Sequence, residues 1–545
     1  MTGRRSLWAC AIFAAVWATI ADAGAEQGAE RSRPVTISVD TRNILHRINP
    51  EIYGVSFATP DILRALNLPL DRSGGNSATL YDWRSDVRNA GADYYFESLP
   101  VTDDISDQFS HGFVAQAKAG GARPILTIPA IGWAARLGPD RARLAGFSVR
   151  RYGRQQAADT QWFPDAGNGR HPDGTPISVN DPNDAARPVD IVAEAAARVG
   201  DLVQRWGGLP YYAIDNEPGL WHESHRMVQK TGVHAQELAQ RTIAVARAIR
   251  SADPGARIIA PESWGWSEYL DSGFDVQGRA VGLPAEQSDR VRQTGGMEQL
   301  PWLLERWREV GRPVDIVSVH YYPQGGEYGD DGAGSRDVQL LRNRSTRALW
   351  DESYRDNSWI GERIALIPRL RRWVDAHYVQ GAPIAITEYS WGGDNSMSGA
   401  TAQADIWGIF GRFALDMGVR WSAPKAGTPV FAVMRLIRNP DGQGDGFGTR
   451  ALAVAVPDSD SLSAFAAYRD DGALTILVVN KSLDEAADVH VDLQGFVTKP
   501  VTLKNWQLAN GTMGSSGQAA IRSATLTDHM AAQSVALYVI SNHDR

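Results

Sequence analysis

The chain has 545 residues, 43% of them hydrophobic and 22% charged, which is enough to bury a large core in one or two domains. A formal net charge of -8 argues against nucleic acid as a partner, because phosphate contacts need a basic surface, and favours a neutral one. There are 18 tryptophans, and their flat apolar faces with one N–H donor suit both core packing and stacking on sugar rings.

Residues 1–25 read as a secretory signal: Arg4 and Arg5, an apolar run over 7–20, then the small-residue stretches Ala21-Asp22-Ala23 and Ala23-Gly24-Ala25. The run is short for a membrane anchor, so export to the periplasm or the medium is expected, without stable membrane insertion afterwards. The single cysteine, Cys10, lies in this segment. Beyond it the chain therefore has no disulfide, thiol nucleophile or thiolate metal site.

Eight short apolar or β-branched runs ending in polar residues follow in order, at 52–57, 70–74, 124–129, 211–217, 257–262, 314–322, 384–389 and 419–424. Amphipathic helices are expected between them, at 193–206, 234–251, 300–310 and 364–378. Eight βα units predict an α/β fold, a (β/α)8 TIM barrel, with chemistry at the C-terminal ends of the strands. The rival, an open doubly wound sheet, lacks a Gly-rich fingerprint after the first strand. Residues 136–188 and 324–357 follow strands and are expected as long loops that wall a cleft or decorate the surface.

Past residue 425 the pattern turns to short strands, at 474–479, 489–493, 501–508 and 534–540, with Gly and Asp turns between them, as in a β-sandwich. The run 35–39 is expected to add an N-terminal strand to it. The expected domains are thus a signal at 1–25, a joining strand within 26–50, a barrel over 51–425 and a sandwich over 426–545.

Two strand ends carry the chemistry. Tyr211-Tyr212-Ala213-Ile214-Asp215-Asn216-Glu217-Pro218 runs from strand into a polar triplet, and Ala385-Ile386-Thr387-Glu388-Tyr389-Ser390-Trp391 does the same three strands later. A carboxylate there needs a partner or a task. Two such acids can pair with arginines, or they can act together as a glycosidase pair, one protonating the leaving oxygen and one attacking the sugar. Asn216 beside the acid could bind the neighbouring sugar hydroxyl.

These segments, with Ile48-Asn49-Pro50-Glu51-Ile52-Tyr53-Gly54, Gly74-Gly75-Asn76, Asp93-Tyr94-Tyr95-Phe96-Glu97, Leu220-Trp221 and residues 315–323, make the chain resemble glycoside hydrolase family 44, the endoglucanases and xyloglucanases. The resemblance covers nearly all of the chain after the signal. It implies a barrel joined to a β-sandwich and a retaining mechanism on β-1,4-glucan backbones. Glu217 of the Asn-Glu-Pro motif matches the family's acid/base and Glu388 of the Thr-Glu-Tyr motif its nucleophile. Ser73 stands where the family usually has tryptophan, which would remove a stacking ring from one subsite. Xylan or mannan hydrolysis, or carbohydrate binding without catalysis, are the alternatives.

Arg72 could hold the nucleophile ionised, while Asn76, His320 and Tyr322 could hydrogen-bond a carboxylate or a sugar. Trp221 and Trp391, next to the two acids, are the tryptophans expected to line subsites, ahead of Trp83, Trp264 and Trp266. No cofactor is required by this chemistry. The acidic turns Asp181-Pro182-Asn183-Asp184 and Asp330-Asp331 have the oxygen ligands of a structural calcium site, although solvated turns account for them better. His222, Glu223 and His225 lack metalloprotease spacing. The expected partner is a polysaccharide, met by a monomer.

Overall fold

The computed structural model describes residues 31–101, 109–496, 501–521 and 523–542. The signal segment and Cys10 lie outside them. Eight strands, β2 (Gly54–Ser56), β3 (Leu70–Ser73), β4 (Arg123–Ile128), β5 (Tyr211–Ile214), β6 (Arg257–Ser263), β7 (Ile316–Tyr321), β8 (Ile384–Tyr389) and β9 (Met417–Arg420), pair in parallel and close into a barrel. They are the eight strands expected from the pattern.

Each is followed by a helix: α1 (Pro60–Ala65), α2 (Ser110–Ala119), α3 (Ile191–Trp206), α4 (Ala235–Ala252), α5 (Gln299–Glu309), α6 (Leu366–His377), α7 (Met397–Arg412) and α8 (Pro429–Arg438). Local chemistry sets their ends. Asp190 accepts hydrogen bonds from Val192 N and Ala193 N to start α3, and Gly207, at φ 76°, stops it. Between those caps Ala195, Val199 and Leu202 bury one face at helical spacing. Helix α8 lies beyond residue 425, so the barrel continues past the boundary placed there. Its start was legible, since the Thr428 side chain accepts from Phe431 N and Pro429 takes the first turn.

The barrel interior is packed. Leu70, Ile125, Tyr211, Ala213, Ile259, Ile316, Ala385, Met417 and Val419 fill it as one buried cluster. Because successive side chains alternate faces, the residues two further along, Arg72, Ser318 and Thr387, point into the space above that plug. A β-bulge between Pro261 and Ser263 adds Glu262 to that layer.

Nine further strands are β1 (Ser32–Arg47), β10 (Arg450–Ala455), β11 (Leu462–Tyr468), β12 (Leu474–Asn480), β13 (Ala486–Gln494), β14 (Val501–Ala509), β15 (Thr512–Ile521), β16 (Thr525–Met530) and β17 (Ser534–Asn542). They hydrogen-bond as one nine-stranded sheet in the order β15-β14-β17-β12-β11-β10-β1-β13-β16. Strand β1 joins it well inside the sheet, parallel to β13 and antiparallel to β10. The sheet curls so that Val35, Ile37, Ala464, Ile476, Val489 and Leu526 share a second core. The alternate residues Phe465, Leu477, Val479 and Leu537 join the barrel core instead.

Helix α7 is buried almost end to end between the two parts, and Gly408 on it admits the Phe465 ring, since a Cβ there would lie 2.2 Å from the ring. The expected long loops carry structure of their own, including short strands at Trp133–Ala135 and Ala186–Pro188 and a helix at Arg336–Arg344. No helix among the described residues is long and apolar enough to cross a membrane.

Candidate active site

Above the barrel plug the ends of five strands deliver a closed set of charged side chains, with Glu217 standing just past β5. Arg72, from β3, is fully buried and donates Nη1 to Glu388 Oε1 at 2.7 Å and Nη2 to Glu262 Oε2 at 2.7 Å. Glu388, near the end of β8, also accepts from the Tyr322 hydroxyl at 2.9 Å. His320, near the end of β7, places Nδ1 2.9 Å from Glu217 Oε1 and 3.6 Å from Glu388 Oε2, and Nε2 3.3 Å from Glu262 Oε2. Carboxylate oxygens of Glu217 and Glu388 lie within 4.8 Å of one another. Glu217 keeps 15% of its side chain exposed and Glu388 5%, so both meet the mouth while their partners do not.

Backbone geometry aims these groups. Asp215, Glu217 and Glu262 all have left-handed φ, at 56°, 46° and 57°, a conformation that costs free energy in non-glycine residues and collects at functional sites. The turn is anchored by Asp215, whose carboxylate accepts from Thr79 Oγ1, Asn216 N and Ala130 N. Burial pushes Asp215 up to about 6 in spite of those donors. Glu217 N donates to Glu262 O, and Gly219 N donates to the buried Glu268, which also accepts from Trp264 N.

The electrostatics separates the acids. Burial raises Glu217 above its ordinary value and the charge of Glu388 adds to that, while the His320 hydrogen bond opposes it. Burial would likewise raise Glu262, but the Arg72 charge and the His320 hydrogen bond outweigh it and hold that carboxyl well below the usual range. Burial alone would lower His320; the Glu388 charge and the hydrogen bonds to Glu217 and Glu262 overcome it and bring the imidazole up to about 10. Glu217, His320 and Glu388 have the spacing to hold a metal ion. In this arrangement the imidazole turns both ring nitrogens to carboxylates, Nδ1 to Glu217 and Nε2 to Glu262.

Most of the expected site residues converge. Asn216 accepts at Oδ1 from Gly75 N and Arg72, and its Nδ2 is 3.5 Å from Asn76 Oδ1. Asn76 in turn donates to Asp93 at 3.0 Å. His320 is fully buried, so its partners are the carboxylates and not a sugar.

Two expectations need correcting. Trp221 is 0% exposed and packs in the barrel core under Arg241. Trp391 is 3% exposed, against Tyr321 and Tyr389, with its N–H on Ser345 Oγ. Neither has a free ring face for a sugar. Ser73 is also buried and lines a small void behind the strand with Leu126, Phe109 and Trp83, so its side chain does not belong to a subsite. The Asp181 and Asp330 carboxylates make turn hydrogen bonds to Asn183 N and Gly332 N.

Sequence reasoning missed Glu262, although it ends a strand in the same way as Glu388. It also missed Trp421, which follows β9. That half-buried indole stands edge-on to Phe57 and over Gly75, where a Cβ would lie 2.7 Å from the ring and where φ is 75°. Glycine satisfies both constraints at once. On the far side of Glu388, Tyr328 packs on Tyr322, and Trp359, 59% exposed, donates to Gln324.

Comparison with known proteins places this geometry. The model of glycoside hydrolase family 44 matches residues 87–325. Endoglucanase A of Paenibacillus lautus is 29% identical over 498 residues, 85% of this chain and 66% of the relative, so the chain spans a little under two thirds of that protein. CelM2, a bifunctional glucanase-xylanase from a metagenome library, is 42% identical, with 93% of this chain and 99% of that one covered and a TM-score of 0.89. A Paenibacillus polymyxa xyloglucanase from glycoside hydrolase family 44 is 26% identical over 94% of this chain and 100% of its own, at a TM-score of 0.75. The matched family model and an identity of 42% along nearly the full length of a solved relative assign this chain to glycoside hydrolase family 44.

Proposed function

We propose that this protein is a retaining endo-β-1,4-glucanase or xyloglucanase, with Glu388 as nucleophile and Glu217 as acid/base. The observation that carries the reading is the Glu217–Glu388 pair, with carboxylate oxygens within 4.8 Å at the barrel mouth. Retaining glycosidases hold their two carboxyl groups about 5 Å apart, whereas inverting enzymes leave room for a water between them.

Glu388 Oε attacks the anomeric carbon as the bond to the leaving oxygen breaks, and that oxygen takes the proton of Glu217. In the second step Glu217 removes a proton from water, the water oxygen attacks the same carbon, and the ester to Glu388 breaks. Arg72 and Tyr322 orient Glu388, one on each oxygen. The raised pKa of Glu217 suits the first step, and it falls when Glu388 becomes a neutral ester, which suits the second. The scheme uses the two carboxylates and no cofactor. Export by the N-terminal segment would bring the enzyme to its polymer.

Xylan hydrolysis is a second reading, favoured by the resemblance to the glucanase-xylanase CelM2. New reducing ends measured on xyloglucan, carboxymethylcellulose, xylan and mannan separate the substrates, and binding without cleavage on all four would reject the enzyme. Glu388→Gly with azide and an activated aryl β-glycoside is expected to return an α-glycosyl azide; no rescue would remove Glu388 from the nucleophile role.

A further inference from the structure

Beside the glutamate pair, beyond Asn76 and Asp93, opens a groove of about 850 Å³. Its wall comes from four segments, at 92–96, 168–178, 222–230 and 276–281, and carries Tyr94, Arg170, His222, Arg226, Lys230 and Gln277. It continues the catalytic cleft: Asn216, next to Glu217, meets Asn76, and Asn76 donates to Asp93 on the groove lining.

Its cations are unusual for an acidic protein. Lys230 Nζ donates to the Ser178 and Asn180 carbonyls at 2.8 and 3.1 Å. Arg170 donates to the Gly174 carbonyl at 3.0 Å, and Arg226 to the Asn168 carbonyl. Among the described residues none of the three has an ion pair with a carboxylate. Carbonyl contacts orient a cation without cancelling its charge. Arg226 is the least satisfied, stacked on Phe96 and Phe147 with a buried Nε that has no acceptor. Burial, and then the charge of nearby Arg170, lower Arg226 to about 10, so an anion brought between the two would be welcome. Of the two carboxylates of the lining, Asp93 accepts from Asn76, and Glu223, 73% exposed and 3.9 Å from His222 Nε2, offsets part of the Arg226 charge from a distance without pairing with it.

We infer that this groove is a subsite for carboxylate-bearing sugar units, so that the enzyme recognises β-1,4-glycans carrying uronic acid. Guanidinium groups bind planar carboxylates in bidentate fashion, and the exposed Tyr94 ring offers the apolar face that a pyranose stacks on. The inference rests on the hydrolase reading for its substrate and on the groove for its charge.

The test uses the full chain with Glu388→Gln, which binds without turnover. Cello-oligosaccharides and the same oligosaccharides with some C6 hydroxymethyl groups oxidised to carboxylate are titrated in by calorimetry. The oxidised form is expected to bind about five- to tenfold tighter at low ionic strength, the scale of one or two charge-assisted hydrogen bonds. The advantage should shrink with salt. It should fall towards one in the additional variants Arg170→Gln and Lys230→Gln, both exposed positions where loss of folding is not expected. Equal or weaker binding of the oxidised form, or an advantage that survives both substitutions, overturns the inference. Wild-type cleavage of the neutral oligosaccharides is scored in parallel. Cleavage without acid preference rejects the groove alone, and acid preference without any cleavage rejects the hydrolase while keeping the groove.

Discussion

Glu262 and Arg72 form an ion pair at 2.7 Å in which both side chains are 0% exposed. The other arm of Arg72 holds Glu388 at the same distance, so the buried pair sets where the outer carboxylate stands. Two buried charges are stable only while they compensate each other, and losing one leaves the other desolvated and unpaired.

Glu262→Gln should therefore lower the thermal midpoint strongly, with a loss of about 3 kcal/mol or more, and reduce kcat on every substrate. Urea unfolding and kinetics on one preparation check it. An unchanged midpoint would deny Glu262 its supporting role.

His320 lowers the pKa of Glu217 through its hydrogen bond and its charge. In His320→Gln the burial and Glu388 contributions remain without that opposition, so Glu217 must rise further. If Glu217 is the acid, the alkaline limb of kcat/KM moves to higher pH while kcat falls. A limb that moves down or stays in place would detach Glu217 from the acid role.

The buried and half-buried tryptophans should respond differently. Trp221→Ala and Trp391→Ala empty core volume and should cost about 3–5 kcal/mol in stability. Trp421→Ala should instead raise KM, with a smaller change in midpoint. Midpoints and KM values measured on the three variants decide it, and a KM effect confined to Trp391 would reverse the assignment.

Burial raises Glu268 to about 8. The unfolded carboxyl ionises near pH 4.3, roughly as in model peptides. Between these values the unfolded chain loses its proton and the folded chain keeps it. The stability contribution of Glu268 is thus complete below pH ~4 and lost as pH rises towards 8. The midpoint of Glu268→Gln relative to wild type should become steadily more favourable from pH 5 to pH 8. A difference that is flat with pH would contradict the raised pKa of Glu268.

The barrel was legible because each strand is a short apolar run with its own stop, and four of the helices between them carry a clear amphipathic period. The glutamate pair was legible for the same reason: Glu217 and Glu388 sit at polar strand ends, and eight parallel strands bring all such ends to one face. Arg72 was expected at the end of the second strand, and alternation from the inward Leu70 turns it to the same space.

What the chain could not reveal locally is which neighbour covers which side chain. Trp221 and Trp391 follow the two acids in sequence yet turn into the core, where Arg241 and Tyr321 from other elements close over them and Tyr389 packs beside Trp391. Glu262 enters the site through a bulge, a one-residue shift between two strands that neither strand encodes by itself. Sequence set the elements and the face where the acids meet, since periodicity and caps act over a few residues. Tertiary structure decided the partners, the burial and so the ionisation of each acid, since desolvation and Coulomb interactions act between residues remote along the chain.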